Sequence, residues 1–179
     1  MPKIKNRKLA DQINALAKRD QLMRNKAKKT GVWDQTVDKK NADNLRNIIA
    51  KYGWPTVGLV GKKASYNAWL IVQHATHDLN FQKKCLTMMT KVLEENPKAI
   101  NKLNIVYLTD RLMVYEKGKQ FFGTQLYINK RGKRVLRPVI KPATLDNRRK
   151  EYGLEPIDKY VARVRRLNKN NAKIKKVIK

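Results

Sequence analysis

Two histidines and an aspartate stand near the middle of the chain with a spacing that suits proton transfer. His74 and Asp78 are four positions apart, so on a continuous helix they share one face. A carboxylate beside an imidazole fixes its tautomer and raises its basicity, as a general base requires. His77 extends this face toward half of a metal site, but no third ligand stands nearby, so no metal is expected. The alternative is structural: a helix-end histidine bonded to Asp78 or to a backbone carbonyl.

Further polar residues lie within otherwise apolar segments. Asp110 and Arg111 are adjacent, and a buried charge requires a partner. Arg111 therefore either clamps a phosphate or carboxylate of a ligand or pins neighbouring elements together. Gln120 and Gln125 flank aromatic residues and orient a ligand if they face a pocket. We expect one pocket to gather the catalytic candidates, which are His74, Asp78, Asp110, Arg111 and Gln125.

Helices are expected to position most of these side chains. Apolar residues on nearly all sides of 62–77 predict a buried central helix, with Trp69 in the core and Asn80 capping the next helix. The apolar link before it, 57–61, is too brief for a phosphate loop. Periodicity and capping signals predict the other helices at 8–28, 39–52, 80–95, 98–109, 146–152 and from 156 onward.

One β-hairpin is predicted, with strand-forming segments at 119–128 and 133–140 around a turn at 129–132. Pro138 and Pro142 limit its second strand to an edge. The expected fold is mainly α, a single helical domain with one hairpin at about 119–140 and basic, partly flexible termini. The expected organisation is a basic N-terminal helix or extension (1–29), a globular α-rich core (30–158) and a basic C-terminal helix or tail (159–179).

The formal net charge is +28, from 42 Lys and Arg against 14 Asp and Glu, which predicts attraction to polyanions. Residues 1–29 carry ten basic and two acidic side chains, and 159–179 carry nine basic and none acidic. Lysine-rich ends that only confer solubility, or a compositional drift, are the alternatives. The candidate nucleic-acid contacts are Lys3, Lys5, Arg7, Lys8, Lys130, Arg131, Lys133, Arg134, Arg163, Arg165, Arg166, Lys173, Lys175 and Lys176.

Composition also excludes several classes of protein. The single Cys85 rules out an internal disulfide framework and a cysteine-rich zinc module. No run of about 18 apolar residues is present, so no membrane span is expected. No apolar signal segment follows the basic N-terminus, which predicts a cytoplasmic protein. No cofactor is expected, and the oligomeric state stays open.

Eight short blocks of the sequence match, in order, a known family pattern: 52–56, 59–61, 68–75, 81–86, 107–111, 118–125, 146–149 and 153–156. Through these blocks the chain resembles a family of uncharacterised bacterial proteins of unknown function that also occurs sporadically in eukaryotes. Thr76 departs from its pattern, since relatives often carry Asp there, and Leu79 replaces a common Pro. The resemblance implies an α-rich single domain with polar signature positions but no established activity. The signature positions are His74, Asp78, Gln82, Asp110, Arg111, Gln120, Gln125 and Arg149.

Three functions are consistent with these features. The first is association with RNA or DNA through the basic termini and the hairpin tip. The second is a hydrolase or transferase acting on a phosphate- or acyl-containing substrate, with a pocket of His, Asp, Arg and Gln. Its substrate-positioning candidates are Gln82, Gln120, Thr124 and Arg149. The third is a structural or protein-partner-binding domain whose polar residues only hold the fold.

Overall fold

The structure, a computed structural model, describes residues 4–166. The chain divides into two compact units, Met1–Leu108 (unit 1) and Thr109–Lys179 (unit 2). Helices dominate both units and the only sheet among residues 4–166 is one antiparallel hairpin, which confirms the predicted mainly α class. None of the helices in this range is both long and apolar enough to cross a membrane. The elements are α1 (Arg7–Thr30), α2 (Gln35–Tyr52), α3 (Val57–His74), α4 (Leu79–Glu95), α5 (Lys102–Lys117), β1 (Leu126–Ile128), β2 (Arg134–Leu136), a 3₁₀ helix (Pro142–Thr144), α6 (Leu145–Glu151) and a last helix, α7 (157–166).

Unit 1 is built around α3. Helix α1 packs on α3 and α2, and α3 packs on α2 and α4. The packed faces carry fully buried apolar residues such as Ile13, Leu45 and Val72. Trp54 and Trp69 are 5% and 7% exposed, so both belong to the core, as predicted for Trp69. The boundaries at 29/30 and 158/159 stay predictions, although α1 is a packed helix of unit 1 whose cations other than Arg24 are exposed.

Helix α3 begins earlier than predicted, and Gly61 kinks it. Residues 57–61, expected as a link, form its first turn, because the Thr56 hydroxyl caps the Leu59 amide at 3.3 Å. Gly61 then adopts φ 81° and ψ 163°, a region that favours glycine. A Cβ on Gly61 would lie 2.9 Å from Ile4 Cδ1. The glycine therefore permits both the kink and the approach of the N-terminal segment.

The helix predicted over 62–77 ends earlier, at His74. Ala75 leaves the helix with φ −76° and ψ 50°, and Asp78 caps α4 by accepting a hydrogen bond of 2.9 Å from the Phe81 amide. The predicted Asn80 cap is therefore wrong, and so is the helix face shared by His74, His77 and Asp78. By capping the free amides of the first turn of α4, Asp78 stabilises the break between α3 and α4. No glycine or proline marks this break in the sequence.

In unit 2, α5 extends to Lys117 and so places Asp110 inside a helix. The strands are three residues each, and Tyr127 pairs with Val135 in their register. They are shorter than the predicted segments 119–128 and 133–140, because residues 119–125 form a loop instead. We call it the signature loop, and side-chain hydrogen bonds hold it in place. Within it only Gln120 forms a bridge, with Val139.

Candidate functional site

His74 is the last residue of α3, and its partner is an aspartate from α1. Nδ1 of His74 lies 2.9 Å from Oδ1 of Asp20. The Asp20 side chain is 2% exposed and that of His74 is 18% exposed. Asp78, the expected partner, instead accepts a hydrogen bond of 2.7 Å from Nη2 of Arg46 through its second oxygen. The structure thus forms an Asp–His pair, with a carboxylate from 54 residues upstream.

Two neighbours hold the Asp20 carboxylate in place. Nε of Arg24 donates to Oδ1 at 3.0 Å, and Nε2 of Gln21 donates to Oδ2 at 2.6 Å. Burial by itself raises the pKa of Asp20, but the hydrogen bonds and charges of His74 and Arg24 outweigh it and lower the pKa below its ordinary value. Asp20 is therefore a fixed anion beside the imidazole at neutral pH.

A second carboxylate and an indole complete this cluster. Asp38 accepts a hydrogen bond of 2.8 Å from Nη2 of Arg24. Burial raises the pKa of Asp38, and the Asp20 charge raises it further, against the opposing charge of Arg24. The guanidinium of Arg24 also lies 4.7 Å from the ring centroid of Trp33, which is 48% exposed. Arg24 is thus held between two carboxylates and an exposed aromatic face.

The second imidazole nitrogen of His74 is open. Within residues 4–166, Nε2 forms no hydrogen bond, and it keeps some access to solvent. When Nδ1–H donates to Asp20, the lone pair of Nε2 can accept a proton. Gln82 steadies this end of α3, since its Nε2 donates to the Val72 carbonyl at 2.8 Å. The arrangement is that of a general base with its orienting carboxylate.

Asp110 uses both of its oxygens to fasten the signature loop. Oδ1 accepts hydrogen bonds from the amides of Phe121 (2.7 Å) and Phe122 (2.8 Å). Oδ2 accepts from the amide and the hydroxyl of Thr124 at 2.8 and 2.9 Å. The Asp110 side chain is fully buried. A carboxylate with four donors is satisfied, so its contribution to any site is to position this loop.

Gln120 fastens the loop to the base of the hairpin. Its Oε1 accepts a hydrogen bond of 2.7 Å from the Gln125 amide. Its Nε2 donates to the carbonyls of Gln125 (3.0 Å) and Arg137 (2.8 Å). The side chain of Gln125 is partly exposed and donates to the Thr124 hydroxyl at 3.1 Å. The side-chain amide of Gln120 therefore has a structural role, because its hydrogen bonds go to backbone groups.

Two arginines of α6 hold the carbonyl side of the same loop. Nη1 of Arg149 donates to the Phe122 carbonyl at 2.6 Å, and its Nε donates to the Glu155 carbonyl at 2.7 Å. Arg148 donates twice to the Phe121 carbonyl, at 3.0 and 3.1 Å. Amides bound by Asp110 and carbonyls bound by arginines fix the loop from both sides.

The predicted site residues thus fall into two groups. Asp110, Gln120, Thr124, Gln125 and Arg149 come together around the signature loop in unit 2, where Arg111 is partly buried on α5. His74, Asp78 and Gln82 lie in unit 1, around the junction of α3 and α4. A pocket shared by both groups stays a prediction.

The hairpin carries a concentration of positive charge. Residues 126–141 contain six basic and no acidic side chains. The side chain of Asn129 accepts hydrogen bonds from the amides of Arg131 (3.0 Å) and Lys133 (2.9 Å), which orders the turn. The guanidinium of Arg137 lies 4.9 Å from the ring centroid of Tyr127, which is 39% exposed. Exposed cations and an aromatic ring therefore share one small element.

Helix α7 adds to this charge. Nε of Arg165 donates to the Arg134 carbonyl at 3.2 Å, so the helix lies against β2. Arg166 is exposed, and Arg163 pairs with Glu155 at 2.6 Å. We call the hairpin residues 129–137 together with Arg165 and Arg166 the basic surface.

The other candidate nucleic-acid contacts lie elsewhere. Lys5, Arg7 and Lys8 are exposed in unit 1 around the start of α1. The remaining four, Lys3, Lys173, Lys175 and Lys176, lie outside the described residues. Within 4–166, no group of three or more His, Cys, Asp or Glu side chains is arranged to hold a metal ion.

Comparison with known protein families matches residues 8–175 to a family of unknown function, DUF6624. The chain belongs to this family. Neither a curated protein nor a solved structure gave a significant match. The predicted membership of an uncharacterised family is therefore confirmed.

The DUF6624 chain contains functional candidates that sequence reasoning missed. Asp20 falls on the apolar stripe of α1 together with Ile13, Leu16 and Ala17, and a charge at such a position signals a buried partner. Arg148 is another, since only 9% of it is exposed and it donates to the Phe121 carbonyl. No spacing rule links Asp20 to His74, because packing of α1 on α3 brings them together.

Proposed function

We propose that this protein binds nucleic acid through the basic surface of unit 2. The observation that carries the proposal is the hydrogen bond from Arg165 to the Arg134 carbonyl, because it joins two cation-rich elements into one surface. Lys and Arg side chains that neutralise phosphates release counterions, which drives binding with little sequence preference. The binding is therefore expected to depend strongly on salt.

The rigidity of the hairpin supports the same proposal. Asn129 orders the tip, and Gln120 bonds the Arg137 carbonyl at the base. A preorganised cationic element loses less conformational entropy on binding. Tyr127 offers a partly exposed ring on which a base of a single strand can stack. The buried polar residues of unit 2 thus support an outward-facing binding element.

The test compares three charge-reversal variants of the full chain. The first carries Lys130→Glu, Arg131→Glu and Lys133→Glu at the hairpin tip, and the second carries Lys5→Glu, Arg7→Glu and Lys8→Glu. The matched control, with the same change in net charge, is Lys39→Glu, Lys40→Glu and Lys84→Glu, three exposed lysines of α2 and α4. Affinities for duplex DNA, single-stranded DNA and RNA are measured across a salt series.

The hairpin variant should show the largest loss of affinity. Its log–log salt slope should fall by about 0.9 for each lost phosphate contact on a duplex and about 0.7 on a single strand. The N-terminal variant measures how much Lys5, Arg7 and Lys8 contribute to the affinity for nucleic acid. Equal losses in the hairpin variant and the control would contradict the proposal, since they would mean that only net charge matters.

A second candidate function is proton transfer by His74, and the Asp20 contact at 2.9 Å favours it. His74 would be the general base, with Asp20 as its orienting group. Such a pair serves hydrolysis or transfer at a phosphate or acyl centre. A pocket that His74 shares with Arg111 and Gln125 stays a prediction, and Asp110 only positions the loop that carries Gln125.

The tautomer of His74 tests this candidate without a known substrate. Nitrogen chemical shifts of the neutral ring should place the proton on Nδ1 and the lone pair on Nε2. Asp20→Asn should disturb that preference, while Asp43→Asn, at an exposed aspartate, should leave it unchanged. A neutral ring protonated on Nε2 would rule out His74 as the base.

A further inference from the structure

A cleft in unit 1 lies between the first turns of α3 and the segment that leads into α5. Its volume is about 730 Å³, within the usual range of small-molecule sites, about 300–1,000 Å³. A hydrogen bond of 2.8 Å from the Val57 amide to the Ala99 carbonyl ties its two walls together. Neither His74 nor Asp20 lines it. The cleft is therefore distinct from the Asp–His pair.

Two buried polar side chains line this cleft without a protein partner. Ser65 is 2% exposed and Asn104 is 3% exposed. Neither the hydroxyl nor the amide forms a hydrogen bond with any residue in the range 4–166, and the polar atoms of both keep some access to solvent. Burying such groups unpaired is costly. Their hydrogen-bonding capacity is thus available to a molecule in the cleft.

The charge of the cleft selects the kind of molecule. Lys62 and Lys98 line it, and no Asp or Glu side chain is present among its described lining residues. Asn101 also lines the cleft, and its side-chain oxygen accepts a hydrogen bond of 3.0 Å from the Leu103 amide, so its NH₂ group keeps its donor capacity. Ammonium and amide donors without a competing carboxylate favour an anion.

The remaining lining favours a ligand with a flat, partly apolar body. Ile100 is 4% exposed and contributes an apolar wall. Tyr66 is 46% exposed, and its ring centroid lies 5.1 Å from that of Trp69. A supported tyrosine ring with an open face can stack on a planar group.

We propose that this cleft binds a small organic phosphate of nucleoside monophosphate size. Lys62 and Lys98 hold the phosphate, and Tyr66 contacts the ring. Ser65 and the amide of Asn104 pair with the donors and acceptors on the edge of the ring. Its lining residues all belong to unit 1 and none belongs to the hairpin, so it goes beyond the nucleic-acid binding proposed above.

The test titrates the full chain with the four ribonucleoside 5′-monophosphates, the matching nucleosides and inorganic phosphate, using calorimetry. The variant Lys62→Ala/Lys98→Ala removes both cations from exposed positions, so folding is preserved. Asn104→Leu removes the buried amide at similar size, and thermal unfolding verifies that it still folds. The control Lys39→Ala/Lys84→Ala makes the same change in net charge elsewhere.

At least one monophosphate should bind, and its nucleoside and inorganic phosphate should each bind about tenfold or more weakly. The lysine pair variant should weaken the monophosphate about tenfold or more, toward the affinity of the nucleoside. Asn104→Leu should weaken the nucleoside as well, and the control should change nothing. The hairpin charge-reversal variant should keep monophosphate binding, which separates this proposal from the nucleic-acid one.

Absence of binding by all four monophosphates would overturn the proposal. So would an affinity that the lysine pair variant and the control lower equally, since the anion would then respond only to net charge. Binding of inorganic phosphate as tight as that of the monophosphates would overturn the role given to Ser65, Asn104 and Tyr66.

Discussion

Asp20 in unit 1 and Asp110 in unit 2 are both buried carboxylates on helices, yet they do different work. Asp110 accepts four hydrogen bonds from one loop, and it holds backbone. Asp20 binds side chains, one of which is an imidazole whose second nitrogen is open. The residue type and burial are the same in both units. They differ in their partners: among the described residues, His74 keeps a ring nitrogen without a hydrogen bond, whereas every donor to Asp110 belongs to the loop backbone or to Thr124.

The largest effect is expected for Asp110→Asn, which tests the structural side of this comparison. In either orientation the new NH₂ group would face at least one backbone amide, so a hydrogen bond to the carboxylate is lost and two donors oppose each other. We expect a loss of about 3–5 kcal/mol in the free energy of unfolding, measured by urea denaturation. The matched change Asp43→Asn, in an exposed ion pair, should cost less than about 1 kcal/mol. Similar losses for both would contradict the role assigned to Asp110.

A smaller and pH-dependent effect is expected for Asp20→Asn. The pKa of Asp20 is lowered from its ordinary 3.8 in the folded state, so the unfolded chain binds the proton more readily. Its stabilisation is complete above pH 3.8 and is lost as the pH falls through the lowered pKa. The variant should be less stable by about 1–3 kcal/mol at neutral pH, and this gap should close in acid. A stability difference that widens on acidification would contradict the lowered pKa of Asp20 in the folded state.

The smallest effect is expected for thiol modification of Cys85 in the native protein. Its reactivity tests whether unit 1 offers a thiol nucleophile. Burial raises the pKa of Cys85 to about 12, and the side chain is fully buried. The thiol should therefore react with a disulfide reagent only after unfolding. Rapid reaction of the native protein at neutral pH would show that the Cys85 thiol is accessible in the folded state, which would contradict its burial.

The sequence predicted the helical class because apolar periodicity reports which faces are buried. It also singled out Asp110, Gln120 and Arg149, since polar residues in apolar segments must find partners. It missed the break after His74, where the capping bond of Asp78 wins over helix continuity.

The Asp20–His74 contact was beyond prediction for a different reason. It forms across 54 residues, and only the packing of α1 on α3 determines it. The sequence also did not indicate that residues 119–128 divide into a loop and a short strand. Side-chain bonds from Asp110 and Gln120 to the backbone replace the expected ladder, and such bonds leave no periodic pattern.

The central claim is that the buried polar residues of unit 2 fasten a basic hairpin that binds nucleic acid. Photo-crosslinking of the full chain to a mixed-sequence oligonucleotide, followed by peptide mapping, tests it most directly. Crosslinks are expected within residues 126–137, including Tyr127, and within α7. Crosslinks confined to unit 1 would contradict it.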